Sequence, residues 1–240
     1  QQQQQNKNNN NNKNNDQEMG RGRGRLSEPV ARFIFRQLLE NLVYLKRHGV
    51  AHRDVSCENI MFDEHGRCLF IDLGMATQVP DDKPMIPSHH CGTFQYKLQY
   101  MAPEVYGNDQ LVDGYASDLW SAAIVLYTML TGLTNEPPAM DNDDDDDNDC
   151  CRVLLYDKPT QSDAIFKKLT HPNKKGLKGL LKSWDMTMSR DAMDLLQSIF
   201  QLNPSDRPSL EEVMKHPWVK NPDVITKEEF MNMIVNSPSV

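Results

Sequence analysis

The chain has 240 residues, 38% of them hydrophobic, which is enough apolar mass for one sizeable domain. Its formal charge of −8 comes almost wholly from Asp141, Asp143, Asp144, Asp145, Asp146, Asp147 and Asp149, so the acidity belongs to one insert and says little about partners of the folded part. Five Cys, an odd number without framework spacing or a signal peptide, exclude a disulfide scaffold and favour a reducing intracellular compartment, cytoplasmic with the nucleus left open. No apolar run is long enough to span a membrane, and the most apolar window, residues 122–130, reads as a buried core helix.

Residues 1–25 are a Gln run, an Asn-rich run and an Arg-Gly alternation. They bury too little apolar surface to offset the entropy of ordering, so the composition predicts a disordered, solvated tail. Its few Arg residues do not make a specific nucleic-acid site. Gly20-x-Gly22 lacks a third Gly and a preceding strand, which excludes a nucleotide loop there. Residues 27–48 follow as a helix, with Ser27 as N-cap and Pro29 in the first turn. Val30, Ile34, Leu38, Leu42 and Leu45 form its apolar stripe, and Gly49 ends it.

Next comes His52-Arg53-Asp54-Val55-Ser56-Cys57-Glu58-Asn59. Two apolar runs, residues 59–62 and 67–71, flank Asp63-Glu64-His65-Gly66 and predict a β-hairpin with a Gly-containing turn. One strand begins at the loop carrying Asp54 and Asn59, and the other delivers Asp72 beside them. Carboxylate and amide oxygens are ligands that suit Mg²⁺, whose shell is usually completed by substrate phosphates and water.

These residues resemble the eukaryotic protein kinases. His52-Arg53-Asp54 with Asn59 is similar to the catalytic loop H-R-D-x-x-x-x-N. Asp72-Leu73-Gly74 is similar to D-F-G, and Ala102-Pro103-Glu104 to A-P-E, in the same order along the chain. The resemblance implies a mainly α fold with a small β-hairpin, the helical C-terminal lobe of a kinase, over residues 26–219. It implies ATP and Mg²⁺ as cofactors and protein Ser/Thr hydroxyls as acceptors. Asp54 would orient the acceptor hydroxyl and take its proton, Asn59 and Asp72 would hold the metal, and Met61 would lie on the nucleotide floor. Arg53 would pair with an activation-segment phosphate. His52, Gly74, Glu104, Asp118 and Arg207 would be structural, with Asp118 accepting from catalytic-loop N–H groups and Glu104 paired to Arg207.

Residues 75–101 occupy the activation segment, with Thr77, Ser88 and Thr93 as hydroxyls open to phosphorylation. His89-His90-Cys91 lacks a second ligand cluster for a metal. Residues 118–130 read as a central helix, with a helix N-terminal carboxylate as the plain alternative for Asp118. A flexible Pro- and Asp-rich insert covers residues 135–149, and further helices cover 163–169 and 189–200. Ser209 and Glu212 form a capping-box pattern, and residues 220–240 read as a tail with a short helix presenting Phe230, Met233 and Ile234 on one side.

Two features depart from the family pattern. The Gly-rich strand pair, the V-A-I-K-type Lys and its Glu partner, all expected before the first helix, are missing, so the nucleotide-covering lobe is expected to be absent. The Lys usual two residues after the catalytic Asp is Ser56, and the Arg positions used by Tyr-directed members hold Ser56 and Glu58. Five residues before Ala102, where the family usually has Thr, stands Lys97, as though hydroxyl and ammonium were exchanged between facing loops; Thr93 across an insertion is the other assignment. The expectation is a Ser/Thr-directed protein kinase present as a partial catalytic domain, inactive on its own without the lobe that covers the nucleotide. A catalytically silent lobe that docks partners on its substrate face stays open beside it.

Overall fold

Helix α1 (Glu28–Arg47) forms along the apolar stripe and buries Val30, Ile34, Leu38 and Leu42. The computed structural model describes residues 25–80, 85–88, 95–107, 109–132, 156, 158–171 and 175–236. The tail over residues 1–24, the His89-His90-Cys91 run, Thr93 and the acidic insert therefore lie outside the described residues. Ser27 stands at the N-cap position of α1, but its side chain makes no cap bond. At the other end the N–H groups of His48 and Gly49 donate to Leu45 and Lys46 carbonyls, which satisfies two otherwise orphaned acceptors.

Arg32 lies on the buried face of α1, only 2% exposed, against the sequence expectation that this face is apolar. Its Nε donates to the Trp218 carbonyl at 2.7 Å, and its guanidinium sits 4.6 Å from the centre of the Trp218 ring. Another of its nitrogens donates to the Asp223 carbonyl, and Arg36 one turn on donates to Val219 and Asn221 carbonyls. The two arginines thus bind the first helix to the far end of the chain.

Helix α1 packs on a central helix, Gly114–Thr131, which is buried nearly all round as its composition predicts. It starts earlier than residue 118. Asp113 is the N-cap, accepting from Tyr115 and Ala116 N–H at 2.9 and 3.0 Å, so Asp118 is freed from the capping role. The close seating of this helix requires glycine at its start: a Cβ on Gly114 would lie 2.7 Å from Ala51 Cβ and 2.8 Å from Ile86 Cδ1.

Among the described residues, three two-stranded antiparallel sheets lie on this helical base, where one hairpin was expected. Strand β1 (Val50–Ala51) pairs with β4 (Thr77–Gln78). The expected hairpin is β2 (Ile60–Phe62) with β3 (Cys68–Phe70), in register Met61 to Leu69. Its turn needs Gly66, whose φ of +67° is left-handed and strains any residue with a Cβ. Strand β5 (Met85–Pro87), in the activation segment, pairs with β6 (Leu111–Asp113). Strands of two or three residues are too short to show a period, which is why two of these pairs escape a reading of the sequence.

Short helix α2 (Pro103–Tyr106) precedes β6, and the central helix Gly114–Thr131 is α3. Helices α4 (Ala164–Leu169), α5 (Lys175–Ser183), α6 (Arg190–Ile199), α7 (Leu210–Val213), α8 (Pro217–Lys220) and α9 (Lys227–Val235) complete the described fold. The capping box is present at Ser209 and Glu212, and a second one at Thr226 and Glu229 starts α9. The terminal helix buries Phe230 alone of the three residues expected on one side. It lies between Phe33 and Phe62 with ring centres at 4.8 Å from each, while Met233 and Ile234 are exposed. The last helix therefore belongs to the main core.

Candidate active site

The loop between β1 and β2 has no ladder to hold it, and a buried carboxylate takes that part. Asp118, projecting from α3, accepts the His52 N–H on Oδ2 and the Arg53 N–H on Oδ1, both at 2.7 Å. These bonds help hold Arg53 at a φ of +66°, a conformation a non-glycine residue rarely takes and one concentrated at functional sites. His52 is fully buried, its ring tilted against Phe70 with centres 4.5 Å apart, and its Nδ1 accepts the Asp54 N–H. Burial lowers its basicity and so favours the neutral ring.

From this anchored backbone Asp54 reaches forward. Its Oδ2 accepts from Asn59 Nδ2 at 2.7 Å and from Lys97 Nζ at 2.8 Å. Asn59 Nδ2 also donates to the Asp54 carbonyl at 2.8 Å, so the amide is fixed with its nitrogen inward. Its Oδ1 accepts none of the described hydrogen bonds. Asp72 is the second residue here with left-handed backbone, at φ +59°, and its Oδ1 accepts the Gly74 N–H at 3.0 Å. That bond closes a tight turn and leaves Oδ2 outward.

A cavity of about 420 Å³ opens between this loop, the activation segment and α3. Arg53, Asp54, Asp72, Gly74, Lys97 and Asp118 all line it. Asn59 reaches it through its bond to Asp54. Met61 does not line it; it stands 53% exposed on the hairpin, in an apolar face continued by Leu69, Ile71 and Leu73. The Arg53 guanidinium donates to Thr77 Oγ at 3.0 Å. Ser56 is fully buried, and its hydroxyl has no hydrogen-bond partner among the described residues. Lys97 thus contacts Asp54, while the Ser56 hydroxyl is turned into the core.

Glu104 and Arg207 meet away from this cavity. The guanidinium donates to both carboxylate oxygens at 2.7 Å, and the two side chains are 4% and 0% exposed. Tyr100, Ser117 and Ser121 also line the cavity and were not singled out from sequence. Nothing in their spacing marks them: Tyr100 comes from the activation segment, while Ser117 and Ser121 lie one turn apart on α3, a spacing that any helix face shows.

Asp118 gives a test of this arrangement by pH. Burial pushes its carboxyl up to about 7, against the pull of the Arg53 and His52 N–H donors. An unfolded Asp ionises near 4, so between about pH 4 and 7 the folded chain keeps a proton that the unfolded chain has lost. The contribution of this group is fully present below about pH 4 and is lost as pH rises toward 7. Urea midpoints of wild type and Asp118→Asn, measured from pH 4.5 to 7, should show wild type losing ground steadily to the variant. Parallel pH profiles would show that Asp118 keeps its solution acidity.

Comparison with known proteins agrees with the geometry. The model of the protein kinase domain matches residues 9–219. The chain is 31% identical over 197 residues to serine/threonine-protein kinase PLK4 of Drosophila grimshawi, covering 80% of this chain and 21% of that protein. It is 33% identical over 194 residues to sperm motility kinase 3A of Mus musculus, covering 81% and 31%. The chain spans about a fifth to a third of the length of these relatives.

Proposed function

Because the chain belongs to the protein kinase family, we propose that it carries the helical part of a Ser/Thr-directed catalytic domain that moves the γ-phosphoryl group of ATP to protein hydroxyls. The observation that supports this best is the seating of Asp54. Its Oδ2 is held by Asn59 and Lys97, while Oδ1 accepts none of the described hydrogen bonds and is left for the proton of an acceptor hydroxyl. The Ser/Thr direction is supported by the relatives named above and by the absence of Arg at positions 56 and 58.

The donor set fits Mg²⁺. Asn59 offers an amide oxygen and Asp72 a carboxylate oxygen, neither spent on the hydrogen bonds described above. Among the described residues no group of three or more His, Cys, Asp and Glu forms a metal cage. One or two protein oxygens with phosphate and water completing the shell is the usual arrangement for this ion. Bound there, Mg²⁺ would neutralise phosphate charge, and Asn59 and Asp72 would hold it in place. Met61, Leu69, Ile71 and Leu73 present an exposed apolar floor suited to a nucleotide base. A Gly-rich strand pair or a V-A-I-K-type Lys covering that floor is not among the described residues. The reading implies an intracellular ATP supply.

The test is transfer of labelled phosphate from ATP to a mixed Ser/Thr peptide library by a protein in which a kinase small lobe precedes this chain, run beside Asp72→Ala. Wild type should label peptides only with Mg²⁺ present. The variant should lose metal-dependent nucleotide binding by at least about tenfold, as expected for removal of a charged ligand of a metal. Peptide capture without any transfer would favour the silent docking lobe, the reading that Ser56 in place of Lys supports.

A further inference from the structure

We propose that the cation facing the transferred phosphoryl group is Lys97, carried on the activation segment in place of a lysine on the catalytic loop; this rests on the phosphotransfer reading above. Lys97 lies in the short helical turn Gln95–Tyr100 and reaches across to Asp54 Oδ2 at 2.8 Å. Both side chains are partly buried, at 27% and 19% exposure, and both line the same cavity. Surface ion pairs contribute little to stability, so packing alone gives no reason to spend a long lysine on this carboxylate. Ser56, on the catalytic loop, is buried with its hydroxyl turned inward and supplies no charge.

An ammonium has three donors, and one of them is used on Oδ2. The others are available to phosphate oxygens beside the point of attack. In the step itself the acceptor oxygen bonds to the γ-phosphorus as the bond from that phosphorus to the bridging oxygen breaks. The hydroxyl proton passes to Asp54 Oδ1, and ADP leaves with the electron pair of the broken bond. Lys97 lies where it can stabilise the oxygens of the group in transit, in a walled cavity where a preorganised charge counts for more than in water.

The location of this lysine adds a condition. Its turn is fastened to the helical base by Ser121 Oγ donating to the Tyr100 carbonyl at 2.7 Å and by the Tyr156 hydroxyl donating to the Gln99 carbonyl at 2.6 Å. The cation is in place only while this part of the segment is seated on α3, so the surface next to the acceptor peptide also sets the rate of the chemical step.

The experiment compares that same two-lobed protein with its Lys97→Met and Lys97→Arg variants. Lys97→Met keeps the stem and removes the charge. We expect an unchanged melting temperature, KM values within a few-fold and a kcat reduced about 10²-fold, the loss typical of one charge-stabilising donor. Lys97→Arg should keep a substantial part of the rate. A second readout does not depend on turnover: acylation of Lys97 by an amine-reactive reagent, followed by mass spectrometry. A non-hydrolysable ATP analogue with Mg²⁺ should slow it more than Mg-ADP does, because only the former brings the third phosphate. A silent or faster Lys97→Met, or equal protection by both nucleotides, overturns the proposal while leaving the kinase reading intact. A wild type that labels no acceptor overturns the kinase reading and this inference with it.

Discussion

Asp54→Asn should abolish nearly all phosphotransfer while leaving nucleotide affinity within a few-fold of wild type. The amide can still present its oxygen to Lys97 and Asn59, which hold Asp54 Oδ2 at 2.8 and 2.7 Å, so the loop should keep its shape. What it cannot do is accept a proton at the other position. Removing a positioned general base typically costs about 10²–10⁴-fold in rate. The residue acts on the acceptor, so ATP binding followed by calorimetry should barely move. An equal loss of rate and affinity would mean that Asp54 holds the nucleotide or its metal and that the assigned roles are wrong.

Arg207→Leu should give the largest loss of stability of any single arginine change tested beside it. The guanidinium meets both oxygens of Glu104 at 2.7 Å, donates to the Gln201 and Ala116 carbonyls, and lies 4.9 Å from the centre of the Trp120 ring. Leucine fills part of the space and leaves Glu104 buried, with the Ser117 hydroxyl as its remaining described donor at 3.2 Å. Breaking a buried pair from one side costs roughly 3–5 kcal/mol, because the surviving charge is uncompensated. In a chain of this size that is a fall in melting temperature of roughly 6–20 °C. Lys167→Leu, on an exposed face of α4, is the control. The double change Glu104→Leu with Arg207→Leu should cost much less than the two single changes added together. A shift no larger than the control would deny that the pair matters.

How much of this was legible in the sequence depends on how far apart the interacting residues lie. Asp54 and Asn59 sit in one loop and Asp72 is delivered by a hairpin, so their chemistry and their spacing are visible together. The bonds of Asp118 to His52 and Arg53, and of Arg207 to Glu104, join residues 66, 65 and 103 positions apart, and only the family resemblance pointed to them. Helix α5 was missed because Gly176 and Gly179 lower helix propensity and obscure the buried spacing of Leu177, Leu180 and Leu181. Arg32 was unreadable for another reason. A charge on an apolar stripe looks like the edge of the buried face, and its partners are backbone carbonyls, which leave no trace in residue type.

Those partners lie 186 and 191 positions downstream, and those of Arg36 lie 183 and 185. A ribosome adding about 5–20 residues per second needs roughly ten to forty seconds to cover that distance. Through that interval α1 has emerged with two guanidinium groups whose carbonyl partners are not yet made. The nascent chain therefore cannot complete these bonds of its first helix until residues 218–223 have left the exit tunnel.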